Sequence, residues 1–176
     1  MKKLILFSLL SILISGSCWA QKETVMAKKE VRKEKKEERR NEVNYVSKQS
    51  FGTDFPNAQG AWLRKDNMDE VSFTLNNRNL IAYYDDGGML IGTSEMKTIK
   101  DLPTKAQDFI KSNYSDYDIM NVLFFNDSEL NDQEMFMYGT QLDGSDNYFV
   151  ELKRGTKTIV LQVTPDGDSK YFAEFK

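Results

Sequence analysis

Residues 80–87, LIAYYDDG, have a counterpart later in the chain, VLQVTPDG at residues 160–167. Each stretch has the composition of a strand and leads into a turn with aspartate and glycine, which tolerate positive φ. The later strand alternates, with Ile159, Leu161 and Val163 on one side. A sheet of such strands needs a helix to cover its apolar face. The paired stretches therefore predict two copies of one unit, each with its own helix.

Two candidate helices precede these strands. The stronger one begins at Pro103, which suits a first helical turn because its missing N–H is not needed there. Its apolar residues follow helical spacing: Leu102, Ala106, Phe109, Ile110 and Tyr114. A shorter helix is predicted from Tyr45 to the stop at Pro56, with Phe51 and Phe55 spaced like Ile110 and Tyr114.

The other patterns are strands joined by turns rich in Asn, Asp and Gly. The predicted strands are residues 61–65, 71–75, 80–84, 89–94, 119–125, 135–142, 148–153, 157–163 and 169–175. We therefore predict an α+β fold of two tandem helix-plus-antiparallel-sheet units, about 45–100 and 101–176, in one compact domain. Chance similarity between two short amphipathic hairpins is the alternative, since such patterns recur widely.

Residues 1–20 have the pattern of a cleaved signal peptide. Two lysines precede an apolar run, residues 4–14, which is shorter than the ~20 residues of a membrane-spanning helix. A short membrane anchor is one alternative, and a lipoprotein modified at Cys18, in a context that resembles a lipobox, is another. We expect cleavage after Ala20, release into the periplasm or beyond, and no membrane span in the mature chain.

The charge is unevenly distributed. Residues 21–44 hold nine Lys/Arg and six Glu with no aromatic residue, whereas residues 45–176 hold 13 Lys/Arg and 21 Asp/Glu. The first segment cannot bury enough apolar surface to offset its ordering, so we predict a flexible or partly helical spacer. A charged arm that touches an envelope component is the alternative. The acidic domain does not suit nucleic acid, which requires a basic face.

The residue inventory excludes several kinds of chemistry. The chain has no histidine, and Cys18, its one cysteine, lies in the predicted signal peptide. The mature chain therefore has no disulfide, no thiolate or imidazole metal site, and no Cys nucleophile or His base. No catalytic constellation is visible, so we predict that the protein is not an enzyme. An undetected hydrolase that uses a Ser–Lys or carboxylate pair is the alternative.

The acidic turns make calcium the metal to consider, because it takes six to eight oxygen ligands. The candidate ligands are Asp85, Asp86, Asp143, Asp146, Asp166 and Asp168. None of these loops matches the EF-hand pattern, and Asp and Gly are ordinary turn residues. We expect no cofactor. A calcium-dependent structural or sensory protein is the alternative function.

Four aromatic residues are candidates for partner binding. Pairing the two stretches places Ile81 and Tyr83 inward and Tyr84 outward. Apolar alternation in the last part of the chain places Phe149 and Phe172 outward, and Trp62 is a weaker candidate. Exposed aromatic residues on a sheet would form an interaction surface. Burial of both sheet faces is the alternative.

Several core aromatic and turn residues carry a family resemblance: Phe51, Phe55-Pro56, Ala58, Trp62, Val71-Ser72-Phe73, Ala82 to Gly87, Glu95, Leu102-Pro103, Ile110 and Tyr114. The pattern resembles PepSY-like, beta-lactamase-inhibitor-protein-like domains that Bacteroidetes export to the periplasm, and it covers about residues 45–176. The resemblance implies tandem helix-on-sheet units and, for some members, calcium regulation. The second unit departs from it, with Pro165-Asp166 before Gly167.

From the predicted export, the residue inventory and this resemblance, we predict a non-enzymatic exported binding or inhibitor-like module. It is expected to act through a sheet face on a protein or envelope component whose identity is unknown.

Overall fold

The structure, a computed structural model, describes Arg32 and residues 42–65, 67–131 and 135–175. The predicted signal peptide and most of the predicted spacer lie outside the described residues. From Val43 onward the chain forms one compact unit. In the described part of the chain, no helix is both long and apolar enough to cross a membrane.

The first half of this unit is a helix followed by four strands: α1 (Tyr45–Asp54), β1 (Gly60–Lys65), β2 (Met68–Leu75), β3 (Arg78–Tyr84) and β4 (Leu90–Lys97). A short 3-10 turn, Ile99–Asp101, leads to the second half. That half contains α2 (Thr104–Asn113), β5 (Asp118–Asp127), β6 (Phe136–Met137), β7 (Thr140–Gln141), β8 (Asn147–Arg154), β9 (Lys157–Val163) and β10 (Ser169–Phe175). The α+β class is confirmed, while the tandem repeat stays a prediction.

Eight of the strands form one antiparallel sheet in the order β1-β2-β3-β4-β5-β8-β9-β10. The β4–β5 pairing, from Gly92 opposite Asp127 to Lys97 opposite Val122, joins the two halves into a continuous sheet. The strands pair mostly with their sequence neighbours, so the order follows from the short turns that the sequence predicts.

Both helices cover the same side of this sheet, the helix face. Phe51 of α1 is buried with Val71, Phe73, Leu80, Ala82 and Tyr84. Ala106 and Ile110 of α2 are buried with Val122, Val150, Leu152, Ile159, Leu161 and Val163. The helix face is continuous between the two halves of the sheet, because Leu80 lies opposite Glu95 and Glu95 opposite Phe124. Since both helices lie on this face, the residues between β5 and β8 determine what covers the other face.

We call residues 128–146 the insert; its described residues, 128–131 and 135–146, lie on the opposite side of the sheet, the insert face. Met135, Met137 and Leu142 are buried there in a cluster with Tyr83, Ile91, Phe125, Phe149, Val160 and Ala173. A single strand is predicted over 135–142, but the structure has two strands of two residues each, β6 and β7, which pair only with each other. The apolar residues of this segment serve as a cover for the sheet, since they do not extend it.

Candidate binding surface

Phe149 is buried on the insert face, so the prediction that it is exposed is wrong. Its exposed fraction is 0%, and its ring centroid lies 5.0 Å from that of Phe172 and 6.2 Å from that of Tyr138. The alternation places Phe149 on the side away from the helices, as expected. The insert then covers that side, which the alternation of β8 alone does not reveal.

Tyr84 is also buried, at 0% exposure, and lies on the helix face. Its hydroxyl donates to the Asp54 carboxylate at 3.0 Å. Burial and the neighbouring Asp54 charge raise the pKa of Tyr84 well above its ordinary value. The prediction that Tyr84 points outward is wrong because it aligns residues 80–87 with residues 160–167 one residue out of register.

Hydrogen bonds in the two turns give the correct correspondence. The Asp85 N–H donates to the Met89 carbonyl, and the Thr164 N–H donates in the same way to the Asp168 carbonyl. Asp85 therefore corresponds to Thr164, whereas the sequence pairing placed Pro165 there. A slip of one residue moves every side chain to the other face of a strand.

Phe172 and Trp62 are half-buried. Phe172 lies at a bulge in β10, where the register shifts between Tyr171 and Ala173. Trp62 packs edge-on against Phe51 with ring centroids 5.5 Å apart. The four predicted aromatic residues thus divide between the two faces and form no single surface. Their role in partner binding stays a prediction.

Part of the insert face remains open to solvent over β1 to β4, and we call this region the open sheet face. Leu63 and Met96 are each 57% exposed, and Ile81 and Leu123 are half-buried. A depression of about 380 Å³ lies over β2 to β5, with lining residues that include Ser72, Thr74, Asn79, Ile81, Ser94, Met96 and Leu123. Hydroxyl and amide groups therefore surround a small apolar floor.

A larger depression, the groove, lies where the insert meets β2 and β3. Its volume is about 620 Å³, and its apolar lining is Met68, Tyr83, Ile91, Leu123, Met135, Phe136, Met137 and Tyr138. Polar groups line it too: Lys65, Asn67, Glu70 and Asp86. Leu123 lines both depressions, so the groove and the open sheet face are contiguous.

Tyr138 fixes the insert next to the groove. Its backbone has a positive φ of 53°, and its hydroxyl donates to the Glu151 carboxylate at 2.8 Å. Its ring stacks on that of Phe175, with an angle of 10° between the planes. Burial and the bond to Glu151 raise the pKa of Tyr138 above its ordinary value. These contacts hold the insert against β8 and β10.

The predicted calcium loops use their carboxylates for turn and sheet contacts. Asp85 accepts from the Met89 N–H at 2.8 Å and from the Asn131 amide. Asp143 accepts from Ser145, Asn147 and Gln162, and Asp146 accepts from Asn126 and the Asp127 N–H. Asp86 is paired with Arg64 and Asp168 with Lys105, while Asp166 is exposed in the β9–β10 turn. Within the described ranges, no group of three or more acidic residues is arranged to hold a metal ion.

A buried ionic network at the start of α1 is missing from the sequence predictions. Asp69 is fully buried and accepts from the Ser47 hydroxyl at 2.7 Å, the Asn44 N–H at 3.0 Å and Arg64 at 2.9 Å. Arg64 also pairs with Asp86. A polar residue in an apolar alternation is the signal for such a network, but its partners are far apart in sequence. The network fastens α1 to the sheet.

No protein-family model matches the chain, and no curated protein sequence matches it. Solved structures do. A BLIP-like protein from Bacteroides fragilis has a TM-score of 0.59 at 15% identity, over 76% of this chain and 86% of that one. A DUF2874 family protein from Bacteroides uniformis has a TM-score of 0.59 at 13% identity, over 74% and 90%. A candidate periplasmic protein from Bacteroides eggerthii has a TM-score of 0.57 at 12% identity, over 74% and 89%.

These likenesses concern the fold, because sequence identity is low throughout. They confirm the beta-lactamase-inhibitor-protein-like part of the resemblance at that level, and the PepSY-like part stays a prediction. A helix-covered antiparallel sheet with this backbone path is therefore the fold that the chain shares with BLIP-like and DUF2874 proteins of Bacteroides.

Proposed function

We propose that this protein is a non-enzymatic, exported binding module that engages a protein or envelope component through the open sheet face. The observation that carries this proposal is the uneven covering of the insert face. The insert buries the part of this face around Ile91, Phe125 and Phe149, whereas Leu63 of β1 and Met96 of β4 stay more than half exposed. Apolar side chains on rigid strands are suited to partner recognition.

Export to the periplasm is part of the same proposal. The signal-peptide pattern of residues 1–20 supports it, as does the fold likeness to a candidate periplasmic protein. The residue inventory supports a role without catalysis, because the chain has no histidine and its one cysteine precedes the expected cleavage site. We therefore expect recognition by shape and apolar contact.

The test is crosslinking in the native periplasm with the wild-type chain and with Leu63→Glu/Met96→Glu. Both residues are exposed, so the variant should keep its stability within about 0.5 kcal/mol. We expect it to lose the crosslinked partner, because two charges would be placed in the contact. Met120→Glu is the matched control, since Met120 is 51% exposed and lies in β5, outside the β1 to β4 region that forms the open sheet face. Equal crosslinking by all three chains would contradict the proposal.

A further inference from the structure

Negative charge is concentrated at one end of the sheet, the acidic end. This is the end where β1, β3, β5 and β9 finish and where β2, β4, β8 and β10 begin. Ten carboxylates and four cations lie in the described residues of its turns and in the three nearest residues of each adjoining element. The carboxylates are Asp69, Glu70, Asp85, Asp86, Asp127, Glu129, Asp143, Asp146, Asp166 and Asp168, and the cations are Arg64, Lys65, Lys105 and Lys170.

The opposite end of the sheet, bounded in the same way, is nearly balanced in charge. Its carboxylates are Asp54, Glu95, Asp101, Asp116, Asp118 and Glu174, and its cations are Arg78, Lys97, Lys100, Lys111, Lys153, Arg154 and Lys157. Among the described residues of the domain, the net negative charge therefore resides largely at the acidic end. Such an asymmetric field attracts cationic partners and increases their association rate.

The groove extends to the acidic end. Lys65, Met68, Glu70 and Asp86 line it, and all four lie in or beside the turns at that end. Tyr83 in the groove lies opposite Gly92, which in turn lies opposite Asp127. The Asp127 N–H donates to the Asp146 carboxylate at 2.9 Å, and burial together with the charges of Asp146, Asp143 and Glu129 raises the pKa of Asp127.

The groove itself suits an apolar side chain. Its volume of about 620 Å³ lies within the range of ligand pockets. Met68, Met135 and Met137 line it, and methionine adapts its shape to different apolar partners. Phe136 also lines the groove and is 60% exposed, so its ring is accessible to an inserted group.

Resting on the proposed function, we infer that the groove takes a basic polypeptide segment of the partner. One aliphatic or aromatic side chain of that segment enters the groove, while flanking Lys or Arg residues face the acidic end. This arrangement combines an apolar anchor with charge complementarity, which together give affinity and orientation.

Three synthetic peptides test this inference: GKKLWLKKG, GEELWLEEG and GKKSGSKKG. They are titrated into the chain from Gln21 to Lys176, labelled with ¹³C at the methionine methyl groups and observed by NMR. Met68, Met135 and Met137 report on the groove, Met96 reports on the open sheet face, and Met120 is the reference.

We expect the first peptide to shift the three groove methyl signals and to bind at least ~10-fold more tightly than the acidic peptide at low salt. About 0.5 M NaCl should reduce that difference, because salt screens the charges. The peptide without an apolar anchor should leave the groove signals unchanged. Phe136→Ser should weaken binding of the first peptide, whereas Tyr171→Ser, an exposed aromatic residue of β10, should not.

Equal binding of the basic and acidic peptides would overturn the inference, and so would the absence of groove shifts. If the methyl signals of the groove methionines shift with protein concentration in the absence of peptide, the inference is overturned as well, because a second copy of the chain would then be the occupant. Shifts confined to Met96 would refute the groove while leaving the proposed function intact. Loss of crosslinking in Leu63→Glu/Met96→Glu tests that function separately.

Discussion

Phe172 packs edge-on against Phe149, with ring centroids 5.0 Å apart and an angle of 61° between the rings. The contact joins β10 to β8 on the insert face, beneath residues of the insert. The two residues differ in burial, because Phe149 is fully buried and Phe172 is half-buried. Their substitutions should therefore have different costs.

We expect Phe149→Ser to lower the free energy of unfolding by about 3 kcal/mol or more, as for large buried aromatic residues. Phe172→Ser should cost about 1–2 kcal/mol, because part of the side chain is already exposed. Urea unfolding followed by far-UV circular dichroism measures both values. Tyr171→Ser, with Tyr171 55% exposed, is the control and should change stability by less than about 0.5 kcal/mol. A Phe149→Ser chain as stable as that control would contradict the observed burial.

Gly88 and Gly167 occupy matching turns and should both resist substitution. Gly88 has a φ of 77°, and a Cβ there would lie 2.7 Å from Val46 Cγ1. Gly167 has a φ of 85°, and a Cβ there would lie 3.0 Å from the Cβ atoms of Lys105 and Pro103. We expect Gly88→Ala and Gly167→Ala to lower the melting temperature, at a cost of about 2 kcal/mol or more, because left-handed strain and contact with a helix add together.

Gly155→Ala is the matched control for the glycine prediction. Gly155 also has a positive φ, 60°, but a Cβ there would have nothing within 4 Å. It should therefore show only the conformational cost, about 1 kcal/mol. Equal losses at all three glycines would show that the close approach of the turns to the helices is unimportant.

Most of the fold can be predicted from the sequence because its signals are local. The helix around Ile110 and the antiparallel hairpins follow from spacing and turn residues, and the structure confirms these elements. The cover over Phe149 cannot be predicted in this way, because the pattern around Met135 and Met137 fits a strand of the main sheet as well as it fits a segment that covers the sheet. Only the tertiary arrangement shows that they pack across the sheet.

The candidate site was harder to predict for two physical reasons. The pairing of Asp85 with Pro165 is one residue out of register. Because side chains alternate between the two faces of a strand, this small error places Tyr84 on the wrong face. The groove depends on contacts between β2, β3 and the insert, which are distant in sequence. The acidic composition pointed to a charged domain, yet its concentration at one end of the sheet emerges only from strand order.

Asn44 belongs to the folded unit, although the sequence boundary placed it in the spacer. Its side chain accepts from the Val46 N–H at 3.0 Å, and its own N–H donates to Asp69 at 3.0 Å. A chain that starts at Val43 should melt like the chain that starts at Gln21, because residues 21–42 contain only four apolar residues and no aromatic residue and can bury little apolar area. A chain that starts at Tyr45 should melt several degrees lower, since a helix cap contributes about 1–2 kcal/mol. Differential scanning calorimetry compares the three chains. Equal melting temperatures for the last two would contradict the cap.

The paired charges of Glu95 and Arg78 should make stability depend on acid pH. Hydrogen bonds from Arg78 and Lys97 lower the pKa of Glu95 from 4.5 to about 2. The unfolded chain binds this proton first as the pH falls, so the stabilisation is complete above about pH 4.5 and is lost towards pH 2. Arg78 is 54% exposed, so solvent screening should limit the effect to less than about 1 kcal/mol.

We expect Glu95→Gln to be less stable than wild type at pH 7 and to lose less stability between pH 4.5 and 2.5 in urea titrations. Arg78→Gln/Glu95→Gln should behave like Glu95→Gln alone, because the Arg78 charge has already lost its partner. Parallel losses for wild type and Glu95→Gln over this interval would show that the pair contributes nothing to acid stability.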